Sequence, residues 1–239
     1  MKFLGLHTMI IVDYRKGYEV TMYKACIFDL DGTLTNTLDS LVYSTNETLK
    51  EMKLPQISEE QCRLFVGNGA RVLIEKALGS SGSENLDRVE EAMQIYGRIF
   101  DANCTYHVVP YEGITEMLES MKNRGLKLAV LSNKPHKQAV HVVETIFGKE
   151  TFQWIQGQID TVPRKPDPTA VLQIAEKLGA TPEETLYIGD SEVDVATGKN
   201  AQMHTVGVTW GFRGKEVLED AGAELIVDSP EEIMNMIED

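Results

Sequence analysis

Short apolar runs and longer amphipathic stretches alternate along most of the chain. The runs at Ala25–Phe28, 126–131, 186–188, 206–208 and Leu225–Val227 are too short for helices and are separated by segments of helical period. Strands that read as continuous apolar runs are those covered on both faces, so the pattern predicts a parallel sheet joined by crossovers. Ile114, Met117, Leu118 and Met121 recur at i, i+3, i+4 and i+7 and stop at Gly125, while Val171, Ala175 and Leu178 stop at Gly179. Each set is one face of a helix closed by a glycine. Three further helix starts are predicted where a capping residue precedes Pro: Asp167-Pro168, Thr181-Pro182 with Glu184, and Ser229-Pro230 with Glu232. The last two have the form of capping boxes.

Between Thr37 and about His107 the alternation breaks, and only helices are predicted. Leu38, Leu41, Val42, Thr45, Leu49 and Met52 form one stripe, Ser58 with Gln61 caps the next helix, and residues 70–78 and 86–100 follow. The expected fold class is therefore α/β: a Rossmann-like parallel sheet core, residues 22–36 and 108–239, with an inserted helical domain, residues 37–107, over the sheet's edge. Residues 1–21 stand apart as an N-terminal extension, because Met22 already looks like the start of a domain. They are read either as a hairpin, with strands over 8–12 and 18–23 and Lys16-Gly17 in the turn, or as the product of a misassigned start.

Charge narrows the partners. The 23 Lys and Arg against 37 Asp and Glu give a net charge of −14, which repels nucleic-acid backbones and anionic membrane surfaces. Neither is an expected partner. No apolar run approaches the ~20 residues of a membrane span, and the start of the chain lacks a signal-peptide cleavage site. Cys26, Cys62 and Cys104 are odd in number and show no CxxC pairing, which fits the reducing cytoplasm rather than a disulfide or zinc scaffold. No sequence feature assigns an oligomeric state.

In an open parallel sheet, ligands bind beyond the carboxyl ends of the strands, and four polar groups fall there. Asp29 and Asp31 are two carboxylates two residues apart, followed by Gly32; Ser132-Asn133-Lys134 ends the second strand; Lys165 sits in Arg164-Lys165-Pro166; and Gly189-Asp190-Ser191-Glu192-Val193-Asp194 follows a later strand. Taken singly, each has a purely structural reading: Ser132 and Asp190 as helix caps, Lys165 as a surface charge, Asp194 as a first-turn carboxylate. Together they meet the needs of phosphoryl transfer. A phosphate monoester requires charge neutralisation at its oxygens, an in-line nucleophile and a proton for the leaving alkoxide. Carboxylates supply a nucleophile and an acid, and Mg²⁺ takes oxygen ligands from one or two carboxylates plus substrate phosphate.

These four segments, in this order, resemble the haloacid dehalogenase superfamily over residues 23–239. The resemblance implies that Asp29 is the nucleophile and Asp31 the general acid/base. It implies that Ser132, Asn133 and Lys165 hold the phosphoryl group, and that Mg²⁺ is bound by Asp29, the Asp31 carbonyl and Asp190 with support from Asp194. An acidic residue at position 31 is similar to the phosphatases and mutases and unlike the dehalogenases and transport ATPases. The helical insertion resembles the cap of subclass I members, which closes over the site.

Within that insertion Gly67, Asn68, Gly69 and Arg71 precede a helix. Backbone N–H groups there can face an anion and Arg71 can pair with a carboxylate, giving a substrate-specificity loop. The other reading is a tight interhelical turn with Arg71 in solvent. Residues 65–78, 110–113, 132–135 and 189–200 together resemble bacterial phosphoglycolate phosphatases. The expected activity is hydrolysis of a small phosphorylated metabolite, 2-phosphoglycolate first, through an aspartyl-phosphate. A pyrophosphatase, a nucleotide phosphatase, a β-phosphoglucomutase-like sugar phosphomutase and a non-catalytic binding protein are the alternatives. Trp210, Phe212 and Arg213, beyond the 206–208 strand, are read as loop packing.

Overall fold

Ala25–Phe28 (β3) is wholly buried along its length, as a strand at the centre of a two-sided sheet must be. The computed structural model describes residues 9–12 and 20–235. Strand β3 pairs in parallel with Lys127–Pro135 (β6) on one side and Thr185–Gly189 (β8) on the other. Beyond β6 lies Trp154–Gln158 (β7); beyond β8 lie His204–Val208 (β9) and Leu225–Val227 (β10). The sheet order is β10-β9-β8-β3-β6-β7. The chain builds outward from β3 in one direction, then returns to build outward in the other, so a crevice opens between the carboxyl ends of β3 and β8.

Alternate side chains of each strand serve opposite layers. Cys26 and Phe28 pack with Leu128, Val130 and Ile188 against Ile114–Asn123 (α5), His136–Phe147 (α6) and Pro230–Asn235 (α10). Ile27 packs with Ala129, Leu131 and Tyr187 against Thr169–Leu178 (α7). Glu192–Asn200 (α8) follows β8, and Lys215–Asp220 (α9) joins β9 to β10. A doubly wound α/β sheet is the architecture the apolar runs predict.

The helical segment comprises Leu38–Glu51 (α1), Glu59–Phe65 (α2), Ala70–Ser80 (α3), a 3-10 turn at Ser83–Arg88, and Val89–Asn103 (α4). Ser58 and Gln61 form the expected capping box at the start of α2. The chain leaves the sheet through Thr35–Asn36 (β4) and returns through Val109–Pro110 (β5), and these two crossings pair antiparallel. Both connections to the helices are thereby tied into one short ribbon.

Several expectations change in detail. Strand β7 is absent from the sequence reading because it is an edge strand with half-exposed side chains and an internal Gly157, so it shows no apolar run. Pro168 flanks α7 rather than opening it, and Asp167 Oδ1 accepts the Thr169 N–H at 2.9 Å. The Thr181–Glu184 capping box is present but initiates only a 3-10 turn, Pro182–Glu184. The helix expected over 86–100 begins at Val89. At the amino end, Met9–Val12 (β1) pairs antiparallel with Val20–Tyr23 (β2); the turn expected at Lys16-Gly17 lies outside the described residues.

Candidate active site

The crevice at the β3–β8 boundary collects the four sequence segments. Asp29 directly follows β3, and its backbone N–H donates to Ile188 O of β8 at 2.9 Å, fixing it at the crevice mouth. The chain then turns sharply: Leu34 and Thr35 N–H groups both donate to Leu30 O. Gly32 sits in this turn at φ +94°, and a Cβ there would lie 2.5 Å from Asp190 Oδ2. Only glycine lets the first loop close against the fourth.

Lys165 links the remaining loops. Its ammonium, 3% exposed, lies 2.6 Å from Asp29 Oδ1 and 2.7 Å from Asp194 Oδ1. Asp194 also accepts from the Tyr187 hydroxyl at 3.0 Å and from Ser191 Oγ at 2.5 Å. It is thus both a member of the Ser191 capping box at the start of α8 and a buried counter-ion. Asn133 Oδ1 accepts the Lys165 N–H at 3.0 Å, and its Nδ2 donates to Lys165 O and to Gly67 O. Asn133 therefore positions Lys165 and touches the helical segment at once. Ser132 lines the same cavity, its Oγ accepting the Lys134 N–H at 3.2 Å.

Asp190 is held from two sides: Thr33 Oγ1 donates to Oδ1 at 3.2 Å and the Phe212 N–H to Oδ2 at 2.7 Å. Asp31, the least buried of the four carboxylates, is bound through Oδ1 by Lys134 Nζ at 2.8 Å.

Burial and mutual repulsion govern the charges. Burial pushes the Asp29 carboxyl well above the usual carboxylate range; Lys165 opposes the shift, and Asp194, Asp190 and Asp31 add to it. Burial, then Asp194, pushes Asp190 up to about 7 against the Phe212 N–H, Arg213 and Lys165. Burial alone would lower Lys165, but Asp194 and Asp29 outweigh it and hold its ammonium well above its ordinary value. One oxygen each from Asp29, Asp190 and Asp194 lie within 4.8 Å of one another, all three residues buried. The four carboxyl groups face the two ammonium groups of Lys134 and Lys165, an excess of acidic groups over cations. This all-oxygen, anionic donor set suits a hard divalent cation.

Above these loops the helices form a roof. Leu41, Val66, Gly67, Gly69, Leu73, Tyr96 and Phe100 close, with the sheet-end residues, a cavity of about 50 Å³. Three side chains from the sheet domain hold the 63–69 segment down. Arg213 donates to Arg63 O at 2.6 Å and Val66 O at 2.7 Å, Asn133 to Gly67 O at 3.1 Å, and Arg164 to Asn68 O at 2.9 Å. The first two carbonyls lie at the end of α2, where helix geometry leaves acceptors unpaired.

Of the expected specificity loop, Gly67 and Gly69 line the cavity, whereas Asn68 contributes its carbonyl to Arg164 and does not. Arg71 is turned away. Its guanidinium pairs with Glu90 at 2.6 Å and Glu75 at 3.6 Å and is 48% exposed. Lys134, Phe212 and Arg213 are the residues the sequence reading undervalued. Their signal was positional: Phe212 and Arg213 follow β9, the neighbour of β8, and Lys134 lies two residues beyond Ser132 on an extended strand.

The family described as haloacid dehalogenase-like hydrolase matches residues 26–208. A phosphoglycolate phosphatase of Pseudomonas putida is 33% identical over 213 residues, 87% of this chain and 77% of that protein. The phosphoglycolate phosphatase of Pasteurella multocida is 29% identical over 92% of this chain and 100% of its own. A crystal structure described as "a predicted phosphoglycolate phosphatase" from Haemophilus somnus superposes with a TM-score of 0.84 at 29% identity, covering 90% of this chain and 97% of that one. The chain belongs to the haloacid dehalogenase-like hydrolases. Within that family it is a phosphatase.

Proposed function

We propose that the protein is a Mg²⁺-dependent phosphatase that hydrolyses 2-phosphoglycolate, a small phosphorylated metabolite, through an aspartyl-phosphate. The observation that carries this reading is the convergence of Asp29, Asp31, Lys165 and Asp190 on one small cavity closed by the helical roof. The named relatives support the same substrate.

Asp29 attacks phosphorus, and the bond from phosphorus to the ester oxygen breaks. Asp31 gives its proton to that oxygen, which leaves as the alcohol. Water then attacks the phosphorus of the aspartyl ester while Asp31 takes the water's proton, releasing inorganic phosphate and restoring both side chains. Lys165, held by Asp194 and Asn133, neutralises the phosphoryl oxygens and Ser132 donates to them, while the Asn133 amide, bonded to Lys165 and Gly67, serves phosphoryl binding by fixing Lys165. Asp29, the Asp31 carbonyl and Asp190, with Asp194 in support, would hold Mg²⁺, which would supply further neutralisation of the phosphoryl charge when bound.

Residues 37–107 are the cap, hinged at the β4–β5 ribbon on a core formed by 22–36 and 108–239. Closure of such a cap excludes water from the ester during the first step. Among the described residues no helix is long and apolar enough to cross a membrane. Three buried, free cysteines suit a reducing compartment, which supports the cytoplasm. The reading is tested by phosphate release from phosphoglycolate, pyrophosphate, nucleoside monophosphates and sugar phosphates with Mg²⁺. Selectivity for phosphoglycolate is expected; a preference for any other member of the panel overturns it.

A further inference from the structure

Lys134 is a buried cation that the phosphoryl chemistry leaves over. Lys165, bonded to Asp29 and Asp194, is taken up by the phosphoryl group, and Arg213 by two cap carbonyls and Glu192. Lys134 lies at the carboxyl end of β6, its side chain 2% exposed, and donates from Nζ to Asp31 Oδ1 at 2.8 Å. The ring of Phe100, from cap helix α4, covers the ammonium with its centroid 4.9 Å away. An ammonium has three donors, so one bond to Asp31 and one aromatic face leave room for another anion. A desolvated cation under an aromatic ring binds such an anion more strongly than a surface lysine does.

The position of this cation relative to the reaction is set by Asp31. The acid must reach the ester oxygen to protonate it, so the leaving group lies beside Asp31 and therefore within a few ångströms of Lys134. Apart from the Tyr96 phenol, the cap side chains on the cavity wall, Leu41, Val66, Leu73 and Phe100 among them, are hydrocarbon, and none is charged. A carboxylate two bonds beyond the ester oxygen meets Lys134, whereas an uncharged leaving group has no use for that cation.

We infer that Lys134, sandwiched between Asp31 and the cap residue Phe100, is the specificity residue that recognises the carboxylate of a carboxylate-bearing phosphate monoester. This deepens the functional reading above and rests on it. Lys134 acts in two ways. It positions Asp31 by their ion pair, and it binds the substrate's second anion once the cap brings Phe100 over it.

The test compares two substrates and two inhibitors in the full chain with Mg²⁺. The substrates are phosphoglycolate and p-nitrophenyl phosphate; the inhibitors are phosphonoacetate and methylphosphonate, assayed against p-nitrophenyl phosphate. Lys134→Met slows both substrates by displacing Asp31, so the readout is the ratio of kcat/KM values, which does not depend on the fraction of folded enzyme. The preference for phosphoglycolate and the preference for phosphonoacetate are each expected to fall by about 10–150-fold, the range for one charge-assisted hydrogen bond. Lys134→Arg, which keeps the charge, is expected to retain most of both preferences. Equal losses on both substrates with unchanged inhibitor preference would overturn the inference while leaving the phosphoglycolate reading intact. A wild-type enzyme that does not hydrolyse phosphoglycolate but hydrolyses other monoesters would overturn that reading and this inference with it.

Discussion

Lys165 Nζ stands 2.7 Å from Asp194 Oδ1, inside a site where both side chains are nearly inaccessible. Asp194 is itself fixed by Tyr187 and Ser191, so the lysine is aimed at Asp29 by a support built from β8 and α8. Asp194→Asn keeps the shape and removes the charge. It is expected to lower kcat/KM by about 10–150-fold, the worth of one charged hydrogen bond, with the fold retained by circular dichroism. Wild-type turnover would remove Asp194 from the support of Lys165.

Asp190 carries a pH dependence with a definite sign. In the metal-free protein its carboxyl is pushed up to about 7 by burial and Asp194, whereas in an unfolded chain it titrates at about 3.9. Between these values the folded state binds the extra proton, so stability is greatest at the acid end and is lost as pH rises through about 7. The Asp29 shift acts in the same direction. Melting curves in EDTA should therefore show Tm falling from pH 5 to pH 8, less steeply in Asp190→Asn, and the Tm gain on adding Mg²⁺ should be larger at pH 8. A gain that is larger at pH 5 would contradict the assignment.

Gly32→Ala places a Cβ 2.5 Å from Asp190 Oδ2 at a backbone φ of +94°. Strain of this kind costs about 1–3 kcal/mol, or a Tm lower by roughly 2–12 °C for a chain of this size. Activity should fall further than the stability loss explains, because Asp190 is displaced. An unchanged Tm by scanning calorimetry would contradict the close packing of the two loops.

Arg71→Ala tests the corrected reading of the cap. Since Arg71 pairs with Glu90 and Glu75 at the surface, the substitution should leave kcat/KM for phosphoglycolate and for p-nitrophenyl phosphate unchanged. A selective rise in KM for phosphoglycolate would return Arg71 to the site.

The difference between Arg71 and Asp29 also shows what was legible in the sequence. Asp29, Ser132 and Asp190 follow apolar runs, and strand polarity alone puts them at one edge of the sheet. The inward face of α3 was legible too, in Leu73, Ile74, Ala77 and Leu78, but Arg71, three and seven positions before Ile74 and Leu78, lies on the flank of that face, and its pairing with Glu90 and Glu75 turns it to the surface. Lys134 and Arg213 were harder, because each acts through a partner more than 100 positions away along the chain, Asp31 for one and the carbonyls of Arg63 and Val66 for the other. Local pattern carries no trace of such pairs. The β4–β5 ribbon has two residues per strand, too few for any period to register.

The central claim is that Asp29 forms a covalent phosphoryl ester, and trapping it is the most direct test. Wild-type enzyme mixed with Mg²⁺ and phosphoglycolate radiolabelled in its phosphate, then quenched in acid, should carry label on a single peptide, at Asp29. Asp31→Asn, which slows the water step, should retain the label longer, and Asp29→Asn should carry none. Label on any other residue, or rapid turnover by Asp29→Asn, would contradict the account.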